Sequence, residues 1–434
     1  MKPDDPSGEA AEESANIPDS GPAEASAVER KNFWDQTFSS LKHRDYRLLW
    51  GGTIFSSSGR WIQQVSLGWL AYVLTQSPLI LGVVNGVLAL PMLLLGPLGG
   101  VITDRVDRRL LMLWTQVWLM VTAFIFATMV AGQWVQLWSL YLFTFLMGAG
   151  WAFNQPVRQS LVPNVVPRKD LMNAVALNSA GFNITRIVGP ALGGLLIAWI
   201  TIAGNFYLQG LAYLGVAVMI YMMHVPPNPR AAREEHLTTN LWDGIRYVWA
   251  HKPILMQVML ALVPVLMAFP YISLMPIFAE DIYGVGAAGL GLLMAVPGIG
   301  AVIATLAMAS FGEFKHHGTI LCLSIIVQGV GLVAFALAGN FVLALAFLVV
   351  VGGAQMSFMV TNNTLLQILT PDEFRGRVMG LYMLNQGLMP LGSLFAGIVA
   401  EGVGAPLAVA IMGGACATLG FLALASPYGR VKAS

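Results

Sequence analysis

Gly100-Val101-Ile102-Thr103-Asp104-Arg105-Val106-Asp107-Arg108-Arg109 places five charged residues in ten positions, between runs 79–102 and 110–131 that hold none. So abrupt a switch from apolar chain to charge and back marks two membrane crossings joined by a short loop. About 20 apolar residues suffice to cross about 30 Å of hydrocarbon. Extending the search both ways gives twelve such stretches: 48–73, 79–102, 110–131, 135–157, 172–199, 205–224, 254–279, 288–311, 319–338, 341–363, 378–400 and 405–426.

Composition agrees. Of 434 residues, 56% are hydrophobic and 10% charged, with a mean hydropathy of +0.70, whereas a soluble domain needs far more charge on its surface. The predicted fold class is an all-α membrane protein of twelve transmembrane helices in two pseudo-symmetric six-helix bundles. Arg105, Arg108, Arg109, Arg158, Arg168, Lys169, Arg230, Arg233, Arg246, Lys252, Lys315, Arg375 and Arg377 all fall in every second connection. The positive-inside rule then predicts cytoplasmic N and C termini. The other connections carry only Glu280, Asp281 and Glu401 as ionisable groups.

The predicted organisation is a disordered acidic cytoplasmic tail over 1–45, a six-helix bundle over 46–224, a cytoplasmic linker over 225–253, a second bundle over 254–426 and a short tail over 427–434. The start of the chain is acidic and rich in Ala, Ser, Pro and Gly, and no apolar run precedes Phe33. The first span is therefore expected to serve as the targeting signal. The linker opens with Pro226, Pro227 and Pro229 and holds an amphipathic stretch around Leu241, Ile245 and Val248. The halves echo one another: Gly193 lies as far beyond Pro167 as Gly397 lies beyond Pro371, and Leu81-Gly82 corresponds to Leu290-Gly291. Six spans per half with internal similarity fit a transporter built from two repeats around a central site.

The 100–109 loop resembles the cytoplasmic signature of the major facilitator superfamily, with Gly100, the Asp104-Arg105 pair and the basic Arg108 and Arg109; Asp107 stands where that family usually has glycine. The resemblance implies a cytoplasmic gate in which Asp104 pairs with arginines across the halves, Arg158, Arg375 and Arg377 among the partners. Gly189-Pro190-Ala191-Leu192-Gly193-Gly194 resembles the superfamily's exporter element, with Thr185 replacing a glycine. Asn154-Gln155-Pro156-Val157-Arg158-Gln159, Asn173-Ala174, Asn178 and Arg375-Gly376-Arg377-Val378 are similar to the branch of siderophore and drug exporters that includes the enterobactin exporter. The arginine usual in span four of proton-coupled antiporters is missing.

Charges inside hydrocarbon are costly, about 2.5 kcal/mol or more for a central arginine, and two occur. Arg60 shares span one with Gln63 and Gln64; Arg186 shares span five with Asn178 and Asn183. With Asn154 and Gln155 these form the expected substrate pathway. Trp61, Trp69, Trp151, Phe153 and Tyr271 are candidate stacking surfaces, though packing and interfacial anchoring account better for any single ring. No Asp or Glu lies deep in a span, and the histidines 43, 224, 236, 251, 316 and 317 lie near span ends or in loops. Any proton site is then peripheral, at Asp104, Glu280, Asp281 or Glu401. Arginines without acidic partners favour an anionic or polar substrate.

Cys322 and Cys416 lack metal-ligand spacing and read as core residues. No Gly-x-x-x-x-Gly-Lys-Ser/Thr motif supports ATP use, no cofactor or metal is implied, and a net charge of +1 makes no case for nucleic acid. The expected function is a secondary transporter in the plasma membrane: a monomeric efflux permease for a small amphipathic or anionic molecule, with proton coupling as an open question. The alternatives are a gradient-independent facilitator or lysophospholipid flippase, and more distantly a scaffold or an intramembrane enzyme. The last lacks embedded nucleophiles, acids and metal ligands.

Overall fold

Pro264, Pro270 and Pro276 deny the seventh predicted span three backbone donors, and that span is accordingly broken into short helices joined by π-helical turns. A computed structural model describes residues 38–225, 237–310 and 316–426, excluding the side chains of 97–101, 103–105, 237–243, 383, 384 and 386. Every regular element described is helical.

The first half contains α1 (Arg44–Thr75), α2 (Pro78–Arg105), α3 (Arg108–Ala131), α4 (Leu137–Val165) and α5 (Leu171–Met222). The linker contributes α6 (Leu237–Ala250). The second half contains α7 (Lys252–Val263), α8 (Tyr271–Ile277), α9 (Gly286–Ser310), α10 (His317–Ala336), α11 (Phe341–Leu369), α12 (Asp372–Gln386), α13 (Met389–Val403) and α14 (Ala405–Ala425). Among the described residues, eight helical runs are long and apolar enough to cross a membrane by length and composition. The more polar α1 and α4, which hold spans one and four, are not among them, and span eleven is shared by α12 and α13.

Spans five and six, grouped here as α5, are two helices that meet at Thr201, whose backbone is non-helical (φ 69°, ψ 172°). The chain reverses there. Asn205 Nδ2 donates to the Gly193 carbonyl at 2.8 Å, whereas twelve residues of straight helix would separate them by about 18 Å. Asn205 also donates to Ser66 Oγ (2.9 Å), tying both arms to α1.

Helical structure is present before the predicted boundary at 46. A 3-10 turn covers Ser39–Lys42 and α1 begins at Arg44. Ser40 Oγ donates to Asn173 Oδ1 (2.5 Å) and His43 bonds Asp170 (2.9 Å), so this segment is fastened to the start of α5. The acidic tail up to residue 37, the linker's first part at 226–236 and the 427–434 tail lie outside the described residues. The amphipathic linker stretch is α6: Val248 is buried and the Tyr247 ring stacks on Phe374 of α12, with centroids 4.1 Å apart. The side chain of Leu241 lies outside the described residues.

Two glycine seams join the halves, both towards the end opposite the basic loops. In the first, α2 meets α13: a Cβ on Gly82 would lie 2.5 Å from the Ser393 carbonyl oxygen, and one on Gly397 would lie 2.8 Å from that of Pro78. In the second, α5 meets α9: a Cβ on Gly194 would lie 2.4 Å from the Ala287 carbonyl oxygen, and one on Gly291 would lie 2.6 Å from that of Pro190. Only glycine allows backbones so close. The internal echo is thereby corrected by one residue, since Gly194 rather than Gly193 takes the place equivalent to Gly397. The helix leading to Gly397 is interrupted at 387–388, between α12 and α13, while that leading to Gly194 runs unbroken from Leu171. Counting from the prolines therefore loses register.

Candidate functional site

The predicted pathway residues divide by helix face. Gln64, four residues after Arg60, lines a small void between the halves with Val84 and Asn85 of α2, Ser273 of α8 and Leu290 and Met294 of α9. Arg60 is half-buried, its guanidinium 4.9 Å from the centre of the Trp151 ring of α4. Gln63 departs from the expected stripe. It is 3% exposed and accepts a hydrogen bond from Gln209 Nε2 of α5 (2.5 Å), because one residue along a helix turns a side chain by about 100°. Its role is to clamp the first half.

Asn154 requires the same correction. It is fully buried between α3 and α4, donating to Thr115 Oγ1 (3.0 Å) and accepting from Arg158 Nη2 (3.2 Å). Gln155, Asn178, Asn183 and Arg186 are half-buried. Arg186 of the first half lies within electrostatic range of the buried Tyr271, the first residue of α8 in the second.

Of the residues expected to form a gate across the halves, Arg109, Arg158 and Arg375 each have hydrogen-bond partners within their own half. Arg109 Nε donates to the Ile220 carbonyl (3.2 Å) and its Nη2 to that of Tyr221, placing a cation at the carbonyl-rich C-terminus of α5. Arg108 donates to the Ser160 carbonyl (3.4 Å). Arg375 pairs with Asp372 (2.6 Å) and donates to the Gln367 carbonyl (3.3 Å), while the Arg377 guanidinium lies 5.3 Å from the Phe374 ring centre. Arg158 is 5% exposed, its observed hydrogen bond running to Asn154 on the same helix. Gly100, Asp104 and Arg105 fall on α2, where their side chains lie outside the described residues. Asp107, the departure from the family signature, is the N-cap of α3, its carboxylate accepting from Leu110 N–H (2.9 Å).

The exporter-like element works on two faces of α5. A Cβ at Gly189 would lie 2.6 Å from Trp61 Cβ, and one at Gly193 would lie 3.1 Å from Ile62 Cα, so these two pack on α1. Pro190 and Gly194 face α9. The element thus bonds the first half internally and to the second half at once.

At the end opposite the basic loops, the acids bridge the halves. Asp281 accepts from the Tyr72 hydroxyl of α1. Glu401 of α13 accepts from the Ser77 hydroxyl (2.9 Å) and the Leu79 N–H (3.2 Å) at the start of α2.

Residues missed in the sequence lie on the second arm of α5: Asn205, Gln209 and Tyr213, buried and spaced four apart. Gln209 Nε2 also donates to the Tyr213 hydroxyl (3.2 Å), and the Tyr213 ring meets Trp151 edge-on, 6.4 Å between centroids. A polar residue every four positions in an apolar run was the signal that marked them.

Residues 35–433 match the profile of a family described as transmembrane secretion effector. Among similar proteins, the staphyloferrin A transporter of Staphylococcus aureus is 26% identical over 367 residues, covering 83% of this chain and 91% of that protein. The enterobactin exporter of Shigella flexneri is 27% identical over 222 residues, 50% of this chain and 51% of that protein. Among solved structures, a bacterial homolog of the human lysosomal transporter Spinster, inward-facing and unoccupied, superposes with a TM-score of 0.70 at 15% identity, covering 88% of this chain and 97% of that one.

Proposed function

The chain belongs to the transmembrane secretion effector family, whose members are major facilitator transporters rather than enzymes, and we propose that it exports a small amphipathic or anionic molecule by alternating access. In this reading twelve spans form two six-helix halves in the plasma membrane, the termini and basic loops face the cytoplasm, and the protein works as a monomer. Arg60, Gln64 and Arg186 line the route between the halves, with Gln155, Asn178 and Asn183 along it.

The observation that carries this reading is the pair of glycine seams. Gly82 with Gly397 and Gly194 with Gly291 hold the halves together at the end opposite the basic loops, which in this orientation is the arrangement required of a state that loads from the cytoplasm. Arg60 and Arg186 stand half-buried at mid-span, and no carboxylate among the described residues lies at that depth. An anionic group on the cargo supplies the missing counter-charge. The relatives named for siderophore transport and export support the class of cargo. Coupling to the proton gradient runs through the outer acids Asp281 and Glu401, which already bridge the halves.

The test is movement of a panel of siderophores, amphipathic drugs and lysophospholipids in inside-out vesicles containing the chain, with and without an uncoupler. Uncoupler-sensitive uptake of a siderophore or drug is expected. Movement indifferent to the uncoupler shows a facilitator, and movement of lysophospholipid alone shows a flippase.

A further inference from the structure

The interior of the first half holds more positive charge than the route between the halves accounts for. Arg158 sits one turn from Asn154, 5% exposed, with its Nε buried and without a hydrogen-bond partner. Arg60 reaches the same region from α1, over the face of Trp151. Both guanidiniums lie in electrostatic range of one oxygen, the hydroxyl of the fully buried Tyr213, to which Gln209 also donates. The Trp151 ring joins the set, 4.9 Å from the Arg60 guanidinium and 6.4 Å from the Tyr213 ring, and Gln209 donates to the Tyr213 hydroxyl at 3.2 Å. The carboxylates among the described residues, Asp45, Asp107, Asp170, Glu280, Asp281, Asp372, Glu373 and Glu401, lie at helix ends or in connections.

Two cations in one apolar interior repel each other, and each costs several kcal/mol to bury unpaired. The face of Trp151 and the carbonyl of Asn154 offset part of that cost. An oxyanion held between the cations would offset far more, and the planar guanidinium fork suits a carboxylate. Arg60 is half-buried whereas Arg158 is enclosed. An anion arriving between the halves meets the half-buried Arg60 before the enclosed Arg158.

Resting on the transport reading above, we infer that Arg60, Arg158 and Tyr213 form an anion-binding subsite that takes a carboxylate of the transported molecule. Arg158 thereby moves from the expected gate to the binding site, and the cargo is an amphipathic carboxylate rather than an amphipathic cation.

The experiment measures binding of 5-carboxyfluorescein, an amphipathic anion, and of tetramethylrhodamine methyl ester, a cation of similar size, to the full chain in detergent by fluorescence polarisation. Wild type is expected to bind the anion and to discriminate against the cation. Arg60→Gln and Arg158→Gln are each expected to weaken anion binding about tenfold or more, and Arg158→Lys to recover most of the loss. Thermal unfolding without ligand separates misfolding from lost binding. If Arg158→Gln does not fold, the half-buried Arg60→Gln decides. No binding of carboxyfluorescein, equal binding of cation and anion, or unchanged affinity in Arg60→Gln overturns the assignment. Uncoupler-sensitive transport of a cationic drug without anion binding would sink the subsite and leave export standing. Failure of every panel compound to move would sink export itself.

Discussion

Glu401 at the end of α13 and Ser77 at the start of α2 are joined at 2.9 Å, so that a carboxylate of one half caps the first turn of a helix in the other. The anion sits at the positive end of α2 and accepts one of its free N–H groups. Replacing Glu401 with Gln or Ala is expected to loosen the closed end. The bond is exposed, which limits its worth to about 1 kcal/mol, or roughly fivefold in the open population. With Cys322 and Cys416 replaced by Ala, a Ser393→Cys reporter in the seam should react several-fold faster with an impermeant maleimide. Unchanged labelling would remove Glu401 from the closure.

Gly194→Val puts a side chain where a Cβ alone already lies 2.4 Å from the Ala287 carbonyl oxygen. The halves cannot close on it. Membrane insertion and helix content should stay at wild-type levels while export falls at least tenfold and seam labelling rises. Gly291→Val should do the same from the other side, and normal export by both variants would show that the seam need not shut.

Gln63 and Gln64 are neighbours with opposite duties. Gln63→Leu removes one of the two hydrogen-bond partners of the buried Gln209 amide and should cost about 1 kcal/mol, seen as a lower thermal midpoint in detergent. Gln64→Leu faces the void between the halves and should alter transport kinetics at nearly unchanged stability. The opposite assignment of stability and kinetic effects would refute this division.

Asp107→Ala removes the N-cap of α3 and should cost about 1 kcal/mol, with Asp107→Asn close to wild type because Asn caps as well. Differential scanning fluorimetry of the purified chain reads the difference. Equal midpoints for all three would show that the cap carries no stability.

The all-helical membrane class was legible because hydrocarbon imposes one requirement, about 20 apolar residues per crossing, and eight of the described helical runs meet it. The glycine-rich element of α5 was legible as close packing. Facing was not. Gln63 and Gln64 read as one polar stripe, and only the direction of each side chain separates clamp from pathway. Arg109 and Arg375 read as gate residues from their loops, yet each finds a backbone carbonyl or acid within its own half. Such partners depend on three-dimensional proximity that residue type does not encode. Tyr213 escaped notice because a lone tyrosine in an apolar run looks like packing until the cations around it are placed.

Thr201 turns α5 back on itself within a single residue, and Asn205 staples the returning arm to Gly193. A joint that short has no slack. Gly194, pressed against α9, and Gln209 and Tyr213, set among the buried polar groups, belong to the two arms of one stiff lever. On the export proposed above, prising the seam apart would drag the tyrosine arm with it, and a cargo that shifts that arm would load the seam. In the alternating-access reading proposed above, occupancy and opening would share one joint at Thr201, without a separate relay between them.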